Sequence, residues 1–492
     1  MPSVSSDPRP TREAIDPLVW KASAVVLLGP LMTSLDSTVV NISLSRLGQD
    51  LHVTLSTIQW VTSGYLLALA LMLPMSGWLV DRLGAKRVYL GCFAAFTVAS
   101  MLCGMATSAA ALIAFRILQG MVGGLLAPMA QMMTAKYAGR HMARVMGIMV
   151  VPVLLGPIGG PVLAGAILQH ASWRWIFFIN LPVGILAILL AAWILPRDAG
   201  AARRGSFDFT GFALLAPGLV LLLHSLESLS SHPLAHHLSL IELAAAIALL
   251  AAFVRHSRRC GSAALIDIRL FKVRDFTAAT WTQFLTNAIA FGGQMLLPLY
   301  LLTIRRASPV QAGMLLIPSG LGMLCVFPML GALTDRFGAR RVSAGGALFS
   351  LLGTVPFALA AFAGSPGWCL GLALAVRGAG LGAIGIPSIA VAYAAVPVED
   401  IPVATTAINI VQRLGGPMAT TSLVLFLHTR MLRPPAFPLS LDQPAGHLQA
   451  FIATFWVLCA IHAAAVWAAL RLPLWANYKR TAPPPAPRTL GQ

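Results

Sequence analysis

The sequence predicts an all-α integral membrane protein, and three observations carry that prediction. Of its 492 residues 58% are hydrophobic and only 10% charged, with a mean hydropathy of +0.80. Soluble domains average roughly 45–50% apolar and about 25% charged. The apolar residues run on without alternation, as in "LLALALMLPMSGWLV" and "LLAPGLVLLLHSL". Lipid admits only helices or closed barrels, and unbroken runs select helices. Third, a charged stretch recurs: "GWLVDRLGAKRV" from Gly77 and "GALTDRFGARRV" from Gly331 agree at eight of twelve positions.

The elements follow in order. Residues 1–19 are polar and Pro-rich and read as a cytoplasmic tail with no cleavable leader. A spanning helix needs about 20 apolar residues, and fourteen such runs are present. They begin near Trp20, Ile58, Val88, Ala109, His141, Ile176, Phe207, Leu238, Phe276, Gln311, Val342, Trp368, Ile401 and His447. The repeated charged stretch follows the second and the tenth. A six-span repeat would separate its copies by about 200 residues, and residues 207–255, two further runs, account for the surplus. The predicted organisation is therefore a six-helix half over 20–196 and a linker with an inserted helix pair over 197–255. A basic cytoplasmic linker over 256–275, a second six-helix half over 276–470 and a disordered cytoplasmic tail over 471–492 complete it.

The net charge of +18 does not point to nucleic acid, because its distribution follows the positive-inside pattern. With an internal N-terminus, the inside segments hold 25 of the 34 basic residues. Outside loops hold Arg46, Arg174, Arg305, Arg306, Arg430 and Arg433, and three more, Arg116, Arg377 and Arg413, fall within spans. Both termini are expected in the cytoplasm and the protein in the inner (plasma) membrane. The six Cys lack CxxC spacing, and no acid or Cys completes a metal set with His232, His236 and His237. No cofactor, metal or enzyme chemistry is expected: there is no nucleophile–His pair and no phosphate loop.

The repeated stretch reads as a tight cytoplasmic turn in each half. Gly77 and Gly84 permit close packing and a sharp turn. Asp81 suits a neighbouring helix N-terminus, while Arg82, Lys86 and Arg87 can pair with it or face anionic lipid. Asp335, Arg336 and Gly338 repeat the pattern. Contacts on one face of the molecule can hold it shut in one state and break in another, so these residues are candidate gates.

These residues resemble the loop signature of the major facilitator superfamily. "LDSTVVNISL" (35–44), "RILQGMVGG" (116–124) and "GPIGGPVLAG" (156–165) resemble three more of its signatures. With "WRWIFFINLPVG" (173–184), "IDIRLFKVRDF" and fourteen spans, the chain looks like the drug:proton antiporters of the EmrB/QacA group. The resemblance implies a major facilitator fold and proton-coupled efflux of small lipophilic compounds by alternating access. An exporter of one endogenous metabolite and a non-transporting membrane sensor are the alternatives. Small-molecule substrate, protons and the lipid bilayer are the implied partners, with a periplasmic adaptor and an outer-membrane channel as further candidates.

Asp36 is the only acid deep in the apolar runs of the first half. A carboxylate there is costly unless paired or protonated, which suits a site that loads and unloads a proton; a structural hydrogen bond to a neighbour such as Asn41 is the plain alternative. Arg116 cannot shed its proton, so buried it needs a partner, and the resemblance assigns it a part in proton coupling. Arg377, before "GAGLG", looks like its faded copy. Gly156, Pro157, Gly159, Gly160 and Pro161 resemble the antiporter helix and imply a hinge or tight seal. No acid lies mid-span in the second half, which argues for lipophilic monocations or neutral compounds over polycations. Trp60, Trp281 and Met295 are candidates for an adaptable cavity wall.

Overall fold

The computed structural model describes residues 15–196, 207–231, 236–261, 264–431 and 444–474; these residues form helices and turns with no strand among them. The helices are α1 (Pro17–Asp50), α2 (Leu55–Met72), α3 (Ser76–Leu83), α4 (Ala85–Met105), α5 (Ala109–Ala138), α6 (Met142–His170), α7 (Trp175–Phe178) and α8 (Asn180–Ile194). Then come α9 (Phe209–Ser231), α10 (His236–Cys260), α11 (Arg274–Thr303), α12 (Pro309–Val326), α13 (Leu330–Phe337), α14 (Ala339–Thr354), α15 (Gly367–Ala394), α16 (Ile401–Met431) and α17 (Pro444–Leu470). A helix begins within three residues of every expected start, as Pro17 does against Trp20. Twelve segments among the described residues are long and apolar enough to cross a membrane; Met142–His170 and the 16-residue Ala339–Thr354 fall outside that set.

Local sequence explains the breaks. Pro74 and Pro328 each follow an apolar helix and start a 3-10 turn, so α2 runs on into α3 and α12 into α13. Gly84 and Gly338 then take φ of 88° and 81°, a left-handed backbone that costs other residues roughly 1–2 kcal/mol. Ser308 and Gln311 close a capping box at the start of α12. Within the first half, α5 lies directly on α2, because Gly120 and Gly124 bring it against the backbone carbonyls of Tyr65 and Leu69. In the second, α15 packs between α12 and α14, and α11 lies along α16.

The two halves meet at the end that carries the charged turns, called here the basic end. One buried cluster there joins Val26, Tyr89 and Met133 of the first half with Phe276, Tyr393 and Ala404 of the second. At the opposite end the core divides. Val39, Leu47, Trp173 and Phe177 form one cluster, and Leu296, Tyr300, Phe357 and Phe455 another. The inserted pair is a helical hairpin, and α9 rests on both α2 and α16. Asp208, just before α9, accepts hydrogen bonds from the backbone N–H of Gly211 and Leu265 and pairs with His256 at 2.8 Å. It thereby ties the hairpin to the basic segment that leads into α11. The 471–492 tail lies outside the described residues beyond Leu474, as does His232.

Candidate functional site

The structure brings Asp36 and Arg116 together. Asp36 sits on α1 and Arg116 on α5; Nη1 of Arg116 donates to Oδ2 of Asp36 at 2.6 Å, and both side chains are fully buried. The other carboxylate oxygen accepts from Asn180 Nδ2 at 2.8 Å and Gln119 Nε2 at 3.2 Å. Arg116 also donates to Gln119 Oε1 and, through Nε, to the Val61 carbonyl of α2. Its guanidinium lies 4.1 Å from the Tyr65 ring centre and 5.8 Å from that of Phe177. Four segments thus converge on one charge pair. Asn41, the plain partner considered from the sequence, is not among the Asp36 contacts; the partners come from α5 and α8.

A buried pair is stable only when geometry and accessory hydrogen bonds repay its desolvation. Here the acid is fully satisfied while Arg116 Nη2 has no partner. If the carboxylate takes a proton, it loses its charge but keeps two amide donors, and the guanidinium is left facing a neutral group. Such a pair can be held or parted by one proton. Gln119 and Asn180 were missed as site residues, although both lie inside stretches quoted above. Their signal is weak in sequence, since an amide in an apolar run reads equally well as a packing contact.

The charged turns begin at the seam. Gly77 packs against the Pro402 carbonyl and Thr406 hydroxyl of α16, and the neighbouring Ser76 exchanges a hydrogen bond with Thr406 at 2.9 Å. Gly331 lies against Arg144 of α6 in the same way. The first glycine of each repeated stretch therefore marks where that half touches the other. Asn409 of α16 donates to Gln131 of α5 at 2.8 Å, closing the seam toward its centre. Arg82 covers the Trp78 ring, Arg336 the Phe337 ring, and Lys86 donates to the carbonyls of Ala192 and Leu195 at the end of α8. Asp81 and Asp335 both engage neighbouring groups, and Arg87 is exposed.

In α6, Gly156 and Gly160 abut Ser34 and Thr38 of α1, so no larger residue fits between these helices. Gly159 faces open space; the side chains of Pro157 and Pro161 lie outside the described residues. The three cavity candidates are not brought together. Trp60 stacks on His224 of α9, Trp281 meets Phe284 of its own helix, and Met295 packs against the Tyr300 cluster. Among the described residues no cluster of metal-ligating side chains occurs.

Comparison with known proteins decides the family. The family model described as Major Facilitator Superfamily matches residues 26–420. The chain belongs to that superfamily. It is 36% identical over 419 residues to "Multidrug resistance protein B homolog" of Mycobacterium tuberculosis, which covers 84% of this chain and 77% of the relative. It is 33% identical over 342 residues to "Putative multidrug resistance protein MdtD" of Serratia proteamaculans, covering 69% and 71%. Among solved structures, the proton:xylose symporter XylE bound to 6-bromo-6-deoxy-D-glucose aligns with a TM-score of 0.62 at 13% identity, covering 94% and 99%. A bacterial homologue of the iron transporter ferroportin, in an outward-facing state, aligns at 0.61 with 15% identity, covering 92% and 99%. These likenesses bear on the fold. Superfamily membership makes the protein a multi-pass membrane transporter of small molecules, not an enzyme.

Proposed function

We propose that the protein is a proton-coupled exporter of small lipophilic compounds, working by alternating access across the inner membrane. The buried Asp36–Arg116 pair is the observation that carries this reading. It is an acid–base couple with no aqueous contact in this state, held by α1, α2, α5 and α8 in the half whose α6 carries the Gly/Pro helix. The basic end is assigned to the cytoplasm, with both termini inside and fourteen crossings, the inserted pair included. The conformation is then closed inside and open outside. Proton loading loosens the carboxylate from Arg116 and frees α1 and α5 to shift against α2, and the seam at Gly77 and Gly331 parts as the molecule turns inward. The named relatives support multidrug export, and co-purification would test an adaptor and outer-membrane channel as partners.

Purified protein in liposomes, loaded with a lipophilic dye, tests the reading. A pH gradient acid on the side corresponding to the outside should drive dye movement and dissipate with it. Equal movement with and without the gradient would remove proton coupling.

A further inference from the structure

Among its described residues the second half carries two cations midway along its helices, Arg377 and Arg413, and no acid at that depth to balance them. Arg377 is 3% exposed; its Nη2 donates to the Ile289 carbonyl at 3.0 Å and its Nε has no partner. Arg413 is half-buried and makes no hydrogen bond or ion pair among the described residues. Among the described residues the acids of that half, Asp275, Asp335, Glu399 and Asp400, all sit at the basic end; Asp442 lies outside the described residues. Asp36 is already engaged by Arg116. A guanidinium stays charged at any working pH, so neither arginine can be neutralised by losing a proton, and an uncompensated charge at this depth costs several kcal/mol.

Arg413 stands where the opening begins. From Ile401 to Ile410, α16 is buried almost all round, but Val411, Gln412, Arg413 and Leu414 are all partly exposed. Thr406 faces the first half, as its bond to Ser76 shows. Arg413 lies seven residues on, two turns further up the same face, about 10 Å above that contact. Asn409, between them, already bonds across to Gln131. Tyr65 of α2 lies within electrostatic reach of both Arg413 and Asp36, and its hydroxyl is buried without a partner. The side-chain amide oxygen of Gln412 is also unpartnered. Arg413 thus brings a fork of N–H donors to the start of the opening, and the O–H of Tyr65, 1% exposed, is buried nearby without a partner.

We propose that Arg413, with the Tyr65 hydroxyl, binds the acidic group of lipophilic anions, so that the exported compounds are amphiphilic carboxylates or similar acids. This rests on the export reading above and replaces the expectation of cationic or neutral substrates, which weighed missing acids but not unpaired arginines. A carboxylate there supplies the counter-charge that the second half lacks, and a planar guanidinium receives it through paired hydrogen bonds. A lipophilic cation would meet a like charge at Arg413. Tyr65 also touches the Arg116 guanidinium, so the acid would be held one side chain from the coupling pair.

Fluorescence binding to the purified full chain in detergent tests this without any gradient. Pyrenebutyrate and pyrenemethylammonium carry the same ring system with opposite charge. The carboxylate should bind at least tenfold more tightly. Arg413→Gln should abolish that preference, Arg413→Lys should keep most of it, and Arg413→Glu should reverse it. Tighter binding of the ammonium by the parent, or an unchanged ratio in Arg413→Gln, overturns the proposal. Should proton coupling fail in liposomes while the carboxylate preference holds, the export mechanism is wrong and the site stands. A coupled pump with no charge preference overturns the site and leaves the export mechanism standing.

Discussion

At the residue scale, the Asp36–Arg116 pair changes what a substitution can be expected to do. Asp36→Asn keeps the size of the side chain but leaves a buried guanidinium facing an amide, and removing one partner of a buried pair costs about 3–5 kcal/mol. The single variant should therefore lose both gradient-driven export and thermal stability. Asp36→Asn combined with Arg116→Gln should recover most of the stability and none of the coupling. Melting temperature and dye transport of the two proteins separate these effects. A single variant that exports as well as the parent would end the coupling role. That Asp36 and Arg116 are charges within apolar spans was legible in the sequence, because charge in an apolar run is conspicuous. That they touch was not, since 80 residues separate them and only the packing of α1 on α5 sets the distance. Gln119 and Asn180 were hidden for the same reason, and the neighbour of Trp60 was not readable because periodicity does not tell which helix a face meets.

At the scale of single elements, small residues set how closely helices approach. Gly124→Leu would drive a side chain into the Leu69 carbonyl of α2. Overpacking of this kind costs about 1–3 kcal/mol or more, and the variant should melt earlier than Gly159→Leu, whose side chain enters open space. Scanning fluorimetry of the two compares them directly. The start of α9 makes a second case. Burial favours the neutral form of Asp208, but donors from Gly211, His256 and Leu265 outweigh it and hold the carboxyl below its ordinary value. Stability from a depressed carboxyl is present above the unfolded value of about 4 and is lost as pH falls through the folded value. The hairpin's attachment should thus loosen only in acid below about pH 4, and Asp208→Asn should show it loosened at pH 7. Hydrogen exchange in residues 264–268 reports both. Element positions were readable because most apolar runs end at a Gly, a Pro or a charge cluster. The merging of α2 with α3 and of α12 with α13 was also implicit in runs that continue past their prolines.

For the whole molecule, the two halves of the basic-end seam are not equivalent. Gly77 meets α16, which carries Arg413, whereas Gly331 meets Arg144 of α6. Electrostatics alone predict equal penalties, since the charges of the two turns match. The first turn belongs to the half that holds Asp36 and Arg116, so Asp81→Asn should impair transport well beyond Asp335→Asn at equal abundance. It should also raise labelling of a cysteine placed at Gln131, inside the closed seam. Equal impairment with unchanged labelling would reduce the turns to anchors of topology, which reporter fusions at Arg197 and His232 test by reading opposite sides. The place of the hairpin has a mechanical consequence. On one flank α9 takes a hydrogen bond at the Leu226 carbonyl from Thr421 of α16, and on the other it offers His224, paired with Glu242, to the ring of Trp60. Two bodies that rock against each other cannot both keep a fixed grip on a third. A directional hydrogen bond resists sliding, while a stack of rings 6.4 Å apart at the centres tolerates it, so α9 should ride with α16 and α2 should glide past it. A bridge between cysteines at Thr421 and Ser225 should leave turnover intact, and one between Trp60 and His224 should stall it: the hairpin would then act as a sleeve bearing, fastened on one side and greased by aromatic rings on the other.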